Sequence, residues 1–193
     1  MPSTKRLTTR NIILTGMFTA IIAVMAQIII PIQPIPFSFS LFAIFLTGIL
    51  IEPKYAFLSV LAYILLGAFG LPVFAGFKGG FHIISGMTGG FIMAYPLMAL
   101  ITSLFYRLSL RLRLSSIPKR LARQAIVILG MIISLFICYL IGSLWFSHVS
   151  GSTMSYTLAV CVLPFVAFDL LKIVLALSFG SVLRRPIDKM TLS

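Results

Sequence analysis

The segment "PFVAFDLLKIV", residues 164–174, places an aspartate and a lysine three positions apart inside a long apolar run. Side chains three residues apart lie on one face of a helix, so we expect Asp169 and Lys172 to point the same way. A charged side chain at the centre of a bilayer costs roughly 2.5 to 3.5 kcal/mol on insertion scales, and such residues usually face a bundle interior and mark functional sites. The segment therefore predicts a membrane helix whose charged face is enclosed by other helices.

The composition of the whole chain agrees with a membrane protein. Of its 193 residues, 60% are hydrophobic and 9% are charged. Soluble domains average about 45–50% apolar and about 25% charged residues. So large an excess of apolar residues cannot be hidden in the core of a soluble domain, and the composition predicts an integral membrane protein.

The distribution of the basic residues decides what the net charge of +12 means. Fifteen lysines and arginines against three acidic residues would also suit a nucleic-acid-binding protein. All of them except Lys78 and Lys172 lie at one set of helix boundaries, which is the positive-inside pattern and argues against a nucleic-acid partner. The residues of this set are Lys5, Arg6, Arg10, Lys54, Arg107, Arg111, Arg113, Lys119, Arg120, Arg123, Arg184, Arg185 and Lys189.

The apolar segments predict an all-α membrane protein with six transmembrane helices in a single domain, residues 1–193. A bilayer core about 30 Å thick requires roughly 20 helical residues, so we expect the short second and third helices to pack inside the bundle. Six helices and the charge pattern together place both termini in the cytoplasm. The helices are predicted near residues 11–30, 37–51, 55–70, 90–106, 124–146 and 156–183.

A glycine-rich segment, "LPVFAGFKGGFHIISGMTGG" (residues 71–90), separates the third and fourth predicted helices. Six of its twenty residues are glycine, and apolar residues are interleaved with them. Irregular backbone at membrane depth is tolerated where it is buried in protein or lines a cavity. We expect a compact external loop that folds over the outer mouth of a pocket; a plain external connector is the alternative.

The first predicted helix carries small residues at helical spacing. Thr15, Thr19 and Ala23 form one stripe, with Gly16 and Ala20 beside it. Small residues repeated every four positions let helix backbones approach closely in lipid. The pattern alone favours packing within the chain, with docking of another membrane subunit as the alternative.

The sequence contains no recognisable catalytic or metal-binding set. It has no G-x-x-x-x-G-K-[ST] phosphate-binding loop. Its two histidines, His82 and His148, have no Cys, Asp or Glu close by in sequence, which argues against a zinc site. With only three carboxylates in the chain, paired-carboxylate catalysis is also excluded, and we expect neither an enzyme nor a bound cofactor.

Several motifs together resemble one family. They are "PIPF" after the first helix, "GLPVFAG" (70–76), "GG" (79–80), "TGG" (88–90) and "PFVAFDLLK" (164–172). The sequence resembles the BioY family, the biotin-binding S components of energy-coupling-factor (ECF) vitamin transporters, over almost the whole chain. It departs from the usual family pattern at Ser40, His82 and Met87.

The resemblance implies a high-affinity subunit in a bacterial cytoplasmic membrane that captures biotin from outside without covalent chemistry. By analogy, Asp169 would accept the ureido N–H groups, and Lys172 would help to hold the carboxylate or the polar end of the site. The remaining implied contacts are Tyr95 on the fourth helix and Phe74, Lys78 and Ser85 in the glycine-rich loop.

The resemblance also implies partners. The small-residue face of helix one (Thr15, Gly16, Thr19, Ala20 and Ala23) would dock on a transmembrane coupling subunit. Two ATPase subunits would hydrolyse ATP, in keeping with the missing phosphate-binding loop. Membrane lipid would surround the bundle.

Three alternatives remain open from the residues alone. The ligand could be another small vitamin or carboxylate. The chain could be a self-sufficient, ion-coupled carrier. Asp169 and Lys172 could also be a purely structural pair in a membrane scaffold without transport.

Overall fold

The computed structural model describes residues 9–30, 37–112 and 119–189, and this part of the chain is mainly helical. Two short strands, β1 (Ile29–Ile30) and β2 (Phe37–Ser38), pair antiparallel after the first helix. The helices are α1 (Thr9–Ala26), α2 (Ser40–Leu50), α3 (Pro53–Ala68), α4 (Phe81–Ser85), α5 (Gly89–Arg111), α6 (Lys119–Ser150), α7 (Met154–Cys161) and α8 (Leu163–Lys189).

Four of these helices, α1, α5, α6 and α8, are long and apolar enough to cross a membrane. The apolar helices α2 and α3 are shorter, with 11 and 16 residues. Every residue of α2 is buried, as expected for a helix packed inside the bundle. Helix α3 buries one face only and leaves Leu65 and Leu66 exposed on the other.

Glycines allow neighbouring helices to pack closely against one another. A Cβ atom at Gly142 would overlap the ring of Phe91, and one at Gly130 would overlap the ring of Phe105, so α5 and α6 touch along their length. A Cβ atom added to Gly48 of α2 would likewise lie only 2.7 Å from the side chain of Thr102 on α5. Close approach of this kind is typical of helix packing in membranes.

The segment predicted as a single sixth helix, 156–183, is two helices. The break falls at Val162, whose φ of −123° and ψ of −60° are not helical. Pro164 explains it, because a proline has no N–H to donate to a carbonyl one turn earlier and is tolerated in the first turn of a new helix. Helix α8 then continues to Lys189, six residues beyond the predicted end.

Other boundaries also differ from the prediction. Helix α1 ends at Ala26, four residues early, and β1 follows it. The proline-rich residues 31–36 lie outside the described residues. Helices α5 and α6 both extend further than predicted into the segment between them, since charged side chains remain helical beyond the apolar core. The glycine-rich segment is not wholly irregular: it contains α4 and a bridge between Phe74 and Lys78.

Candidate binding site

Asp169 and Lys172 form a buried ion pair on α8. Each residue is only 3% exposed, and the Lys172 Nζ atom lies 2.8 Å from the Asp169 Oδ1 atom. The expectation that both charges point into the bundle from one helix face is confirmed. A buried charge is strongly destabilising unless it is paired, so each of these residues requires the other.

Two aromatic side chains from other parts of the chain complete the environment of the pair. The hydroxyl of Tyr139, on α6, donates a hydrogen bond of 2.6 Å to the Asp169 Oδ2 atom. The Lys172 ammonium lies 3.8 Å from the centre of the Phe37 ring, a cation–π contact. A carboxylate can accept about four hydrogen bonds and an ammonium can donate three, so this arrangement leaves capacity for a polar ligand.

A cavity of about 50 Å³ lies directly against the ion pair. Five aromatic side chains line it, and two of them, Phe37 and Phe165, stack with their planes within 7° of each other. Aromatic walls with a few polar groups at one end are typical of sites that bind small organic molecules. The other aromatic residues of the wall are Phe91, Tyr95 and Tyr139.

A second cavity of about 130 Å³ adjoins the first. Ser38, Phe91 and Tyr95 line both, so these three side chains form the partition between them. Phe74 and Lys78 line only the second cavity. Sites for drug-sized ligands usually enclose roughly 300–1,000 Å³, so the partition must move before an elongated molecule can occupy both cavities.

The loop that precedes α4 packs over the second cavity through Phe74. This residue is 2% exposed, its ring meets Tyr63 edge to face at 5.5 Å, and its backbone pairs with that of Lys78. A Cβ atom at Gly67 would overlap the Phe74 ring, so this glycine provides the space that the ring occupies. The loop is therefore attached to the bundle by a buried aromatic anchor.

Two side chains outside the loop hold it by hydrogen bonds. Gln27, at the end of α1, donates to the Val73 carbonyl at 3.0 Å and accepts from the Phe77 N–H at 2.7 Å. Phe77 has a φ of 56°, an uncommon conformation for a residue with a side chain. Trp145 of α6 donates to the Gly86 carbonyl at 2.9 Å.

The structure brings together most of the residues expected at the site. Asp169, Lys172 and Tyr95 line the first cavity, and Tyr95, Phe74 and Lys78 line the second. Ser85 is not brought to either cavity: it is exposed on α4, and its hydroxyl donates to the Phe81 carbonyl at 3.2 Å.

The three positions that depart from the family pattern fall in different places. Ser40 lines the second cavity, where its hydroxyl lies 2.6 Å from that of Ser38. His82 and Met87 are exposed, and neither lines the two cavities.

Sequence reasoning missed Tyr139, Phe37 and the loop anchor Gln27. Tyr139 had a usable signal, because a phenol in the middle of the very apolar segment "IISLFICYLIG" needs a polar partner. Phe37 lies next to the prolines of 31–36, and nothing in its sequence context indicates a contact with Lys172, which lies 135 residues away.

The small residues of α1 line an open groove of about 850 Å³ between α1 and α3. All five residues of the predicted docking face contribute to it. Thr19 is buried and donates to the Ser59 carbonyl of α3 at 2.9 Å, whereas Gly16 and Ala20 are exposed. One part of the stripe therefore packs α1 against α3, and another part faces outward.

Comparisons with known proteins agree on one family. The BioY family model matches residues 1–189. A probable biotin transporter BioY from Pyrococcus horikoshii is 36% identical over 84% of this chain and 89% of its own length. The biotin transporter BioY of Thermotoga maritima is 38% identical over 86% and 91%. A crystal structure of the S-component for biotin from an ECF-type ABC transporter superposes with a TM-score of 0.78, covering 91% of each chain at 26% identity.

Proposed function

Because this chain belongs to the BioY family, we propose that it is the biotin-binding S subunit of an ECF-type transporter and takes up biotin across the membrane. It is a transport protein and not an enzyme, so the site has to recognise its substrate without changing it. The observation that carries the proposal is the buried Asp169–Lys172 pair at the end of an aromatic cavity.

The polar end of the site suits the ureido ring of biotin. A ureido group presents two N–H donors and one carbonyl acceptor. Asp169 is an acceptor for the N–H groups, while the Lys172 ammonium beside it is a donor for the carbonyl, and the Tyr139 hydroxyl holds the carboxylate in place. Lys172 lies 2.8 Å from Asp169, so its place is at this polar end of the site and not at the carboxylate of the ligand.

The second cavity suits the other end of the molecule. Lys78 lines it, and a lysine ammonium can pair with the carboxylate of biotin. The thiophane ring and alkyl chain would then lie between the two ends, against Phe91 and Tyr95, which line both cavities. The glycine-rich loop would act as an external cover that opens for binding, with Phe74 as its anchor.

The membrane arrangement follows from the helices. We count α2 and α3 with the four long helices, and α7–α8 as one interrupted segment, which gives six transmembrane segments. On the positive-inside rule, both termini and the α5–α6 connection would lie in the cytoplasm of a bacterial cell.

A coupling subunit would dock in the groove between α1 and α3. The outward-facing Gly16 and Ala20 permit close approach of a partner helix, and a Cβ atom on Gly16 would meet no atom of the described residues within 4 Å. ATP would be hydrolysed by two partner ATPase subunits, so that this chain needs no cofactor of its own.

Equilibrium binding of labelled biotin to the purified protein tests the proposal. We expect tight binding that desthiobiotin competes away and that thiamine and riboflavin do not. Asp169→Asn should lose most of this binding, whereas Glu52→Gln, which removes a carboxylate paired with Arg107, should keep it. Folded protein that ignores biotin would refute the substrate, and uptake in vesicles that collapses with an ionophore and needs no ATPase would refute the ECF mechanism.

A further inference from the structure

A cavity of about 560 Å³ lies at the end of the bundle opposite the ion pair. The ends of α2, α5, α6 and α8 enclose it. Arg184 of α8, which lines it, follows Asp169 by 15 helical residues, or roughly 22 Å at the rise of an α-helix. The cavity is therefore separate from the two cavities of the biotin site.

Three arginines line this cavity, and none of the described residues that line it is acidic. Arg120 and Arg123 are exposed and lie three positions apart, so they share one face of α6. Arg184 is held in place, because it donates to the Ile49 carbonyl at 2.7 Å and its guanidinium lies 4.4 Å from the centre of the Tyr106 ring. The cavity thus carries a concentrated positive charge, and one of its three arginines, Arg184, is held in place by neighbouring residues.

The position of Arg120 and Arg123 adds to this charge. They lie in the first two turns of α6, where the helix dipole is already positive, and the first turn contains no acidic residue. Cations at a helix N-terminus are unfavourable, whereas a bound anion there is stabilised both by the dipole and by the arginines. The arrangement therefore favours an anionic ligand.

Besides the arginines, the lining has three polar side chains, Ser109, Gln124 and Ser181, and an apolar part that lies deeper in the bundle. Ile49, Val127 and Leu177 form this part of the wall. A free inorganic anion would contact the arginines and gain nothing from these side chains. A molecule with an anionic head and a hydrocarbon tail would use both parts of the cavity, since basic pockets between transmembrane helices bind acidic lipid head groups.

We propose that this cavity is a binding site for an anionic phospholipid, with the phosphate at Arg120, Arg123 and Arg184 and one acyl chain against the apolar wall. The site lies in the leaflet at the basic end of the bundle. Guanidinium groups suit it because they bind phosphate in a bidentate manner.

Native mass spectrometry of the purified protein titrated with dioleoylphosphatidylglycerol tests this proposal. A basic residue near an anionic lipid surface contributes about fivefold to affinity, so Arg120→Gln/Arg123→Gln should bind this lipid roughly 30-fold more weakly. The matched control is Lys54→Gln/Arg111→Gln, which removes two exposed charges that do not line the cavity. We expect the control to bind like the wild type, and both variants to retain biotin binding.

The same titration contains the results that would overturn the proposal. Equal losses in both double variants would mean a general charge effect. Equal retention of the zwitterionic dioleoylphosphatidylcholine by the wild type would mean that the site does not select a lipid with net negative charge. Displacement of the lipid by glycerol 3-phosphate at equal concentration would mean that the site takes the free anion and not a lipid.

Discussion

Replacing Lys172 by methionine tests whether the ion pair is structural, functional or both. The variant leaves the Asp169 carboxylate buried at 3% exposure, with only the Tyr139 hydroxyl as its partner among the described residues. Removing one partner of a buried ion pair costs about 3–5 kcal/mol. We therefore expect Lys172→Met to be about 3–5 kcal/mol less stable than the wild type.

The double variant Asp169→Leu/Lys172→Met separates stability from binding. Replacing both members of a buried pair by apolar residues of similar size is often neutral or stabilising, so it should recover most of the lost stability. It should nevertheless fail to bind biotin, because the groups proposed to recognise the ureido ring are gone. If the pair were purely structural, the double variant would recover biotin binding together with stability.

Unfolding can be followed by titration with SDS in mixed micelles. The chain has a single tryptophan, Trp145, whose indole N–H is bonded to the Gly86 carbonyl, so its fluorescence reports on the packing of the loop against α6. Leu171→Met, on the exposed side of α8, is the control and should match the wild type. Wild-type stability in Lys172→Met, or wild-type biotin affinity in the double variant, would refute the reasoning.

Three further substitutions have defined outcomes. Tyr139→Phe removes a charge-assisted hydrogen bond to Asp169, worth about 1.5–3 kcal/mol, and should weaken biotin binding by at least tenfold in an equilibrium assay; unchanged affinity would remove Tyr139 from the site. Gln27→Ala removes two bonds that hold the loop and should speed biotin release by roughly five- to 100-fold in a chase experiment, whereas an unchanged rate would mean that Gln27 does not hold the cover closed. Gly16→Leu/Ala20→Leu fills the exposed part of the α1 groove, so biotin binding should persist while co-purification of the coupling subunit is lost; retained co-purification would place docking elsewhere.

The sequence predicted the parts of the fold and site that depend on local pattern. Apolar runs and the alternation of charge are local, and so is the i, i+3 spacing that puts Asp169 and Lys172 on one face. The break at Val162 was missed because a proline within an apolar run is compatible with either a bend or a new helix, and packing against neighbouring helices decides between them.

Contacts between distant segments could not be predicted in this way. Tyr139 reaches Asp169 from another helix, and Gln27 reaches the backbone of a loop 46 to 50 residues away. Such contacts depend on how helices are placed relative to one another, and no short-range periodicity encodes that placement. Ser85 illustrates the reverse error, since it lies in the expected loop but on the exposed side of α4.

Helix α1 both lines the proposed docking groove and, through Gln27 at its end, contacts the loop proposed as the cover. Gln27 follows directly after the last turn of α1 and bonds to two backbone groups of the loop, while Gly16 and Ala20, two to three turns earlier, face the groove. A helix transmits a tilt or shift along its whole length, because its backbone bonds make it stiff over this distance. A partner that displaces α1 when it docks would therefore strain the Gln27 contacts at the other end of the helix. Their net strength of about 1–3 kcal/mol is small enough for a docking interface to overcome and large enough to keep the cover closed in its absence. Under the proposed function, docking in the groove would therefore act on the Gln27 contacts of the loop through helix α1.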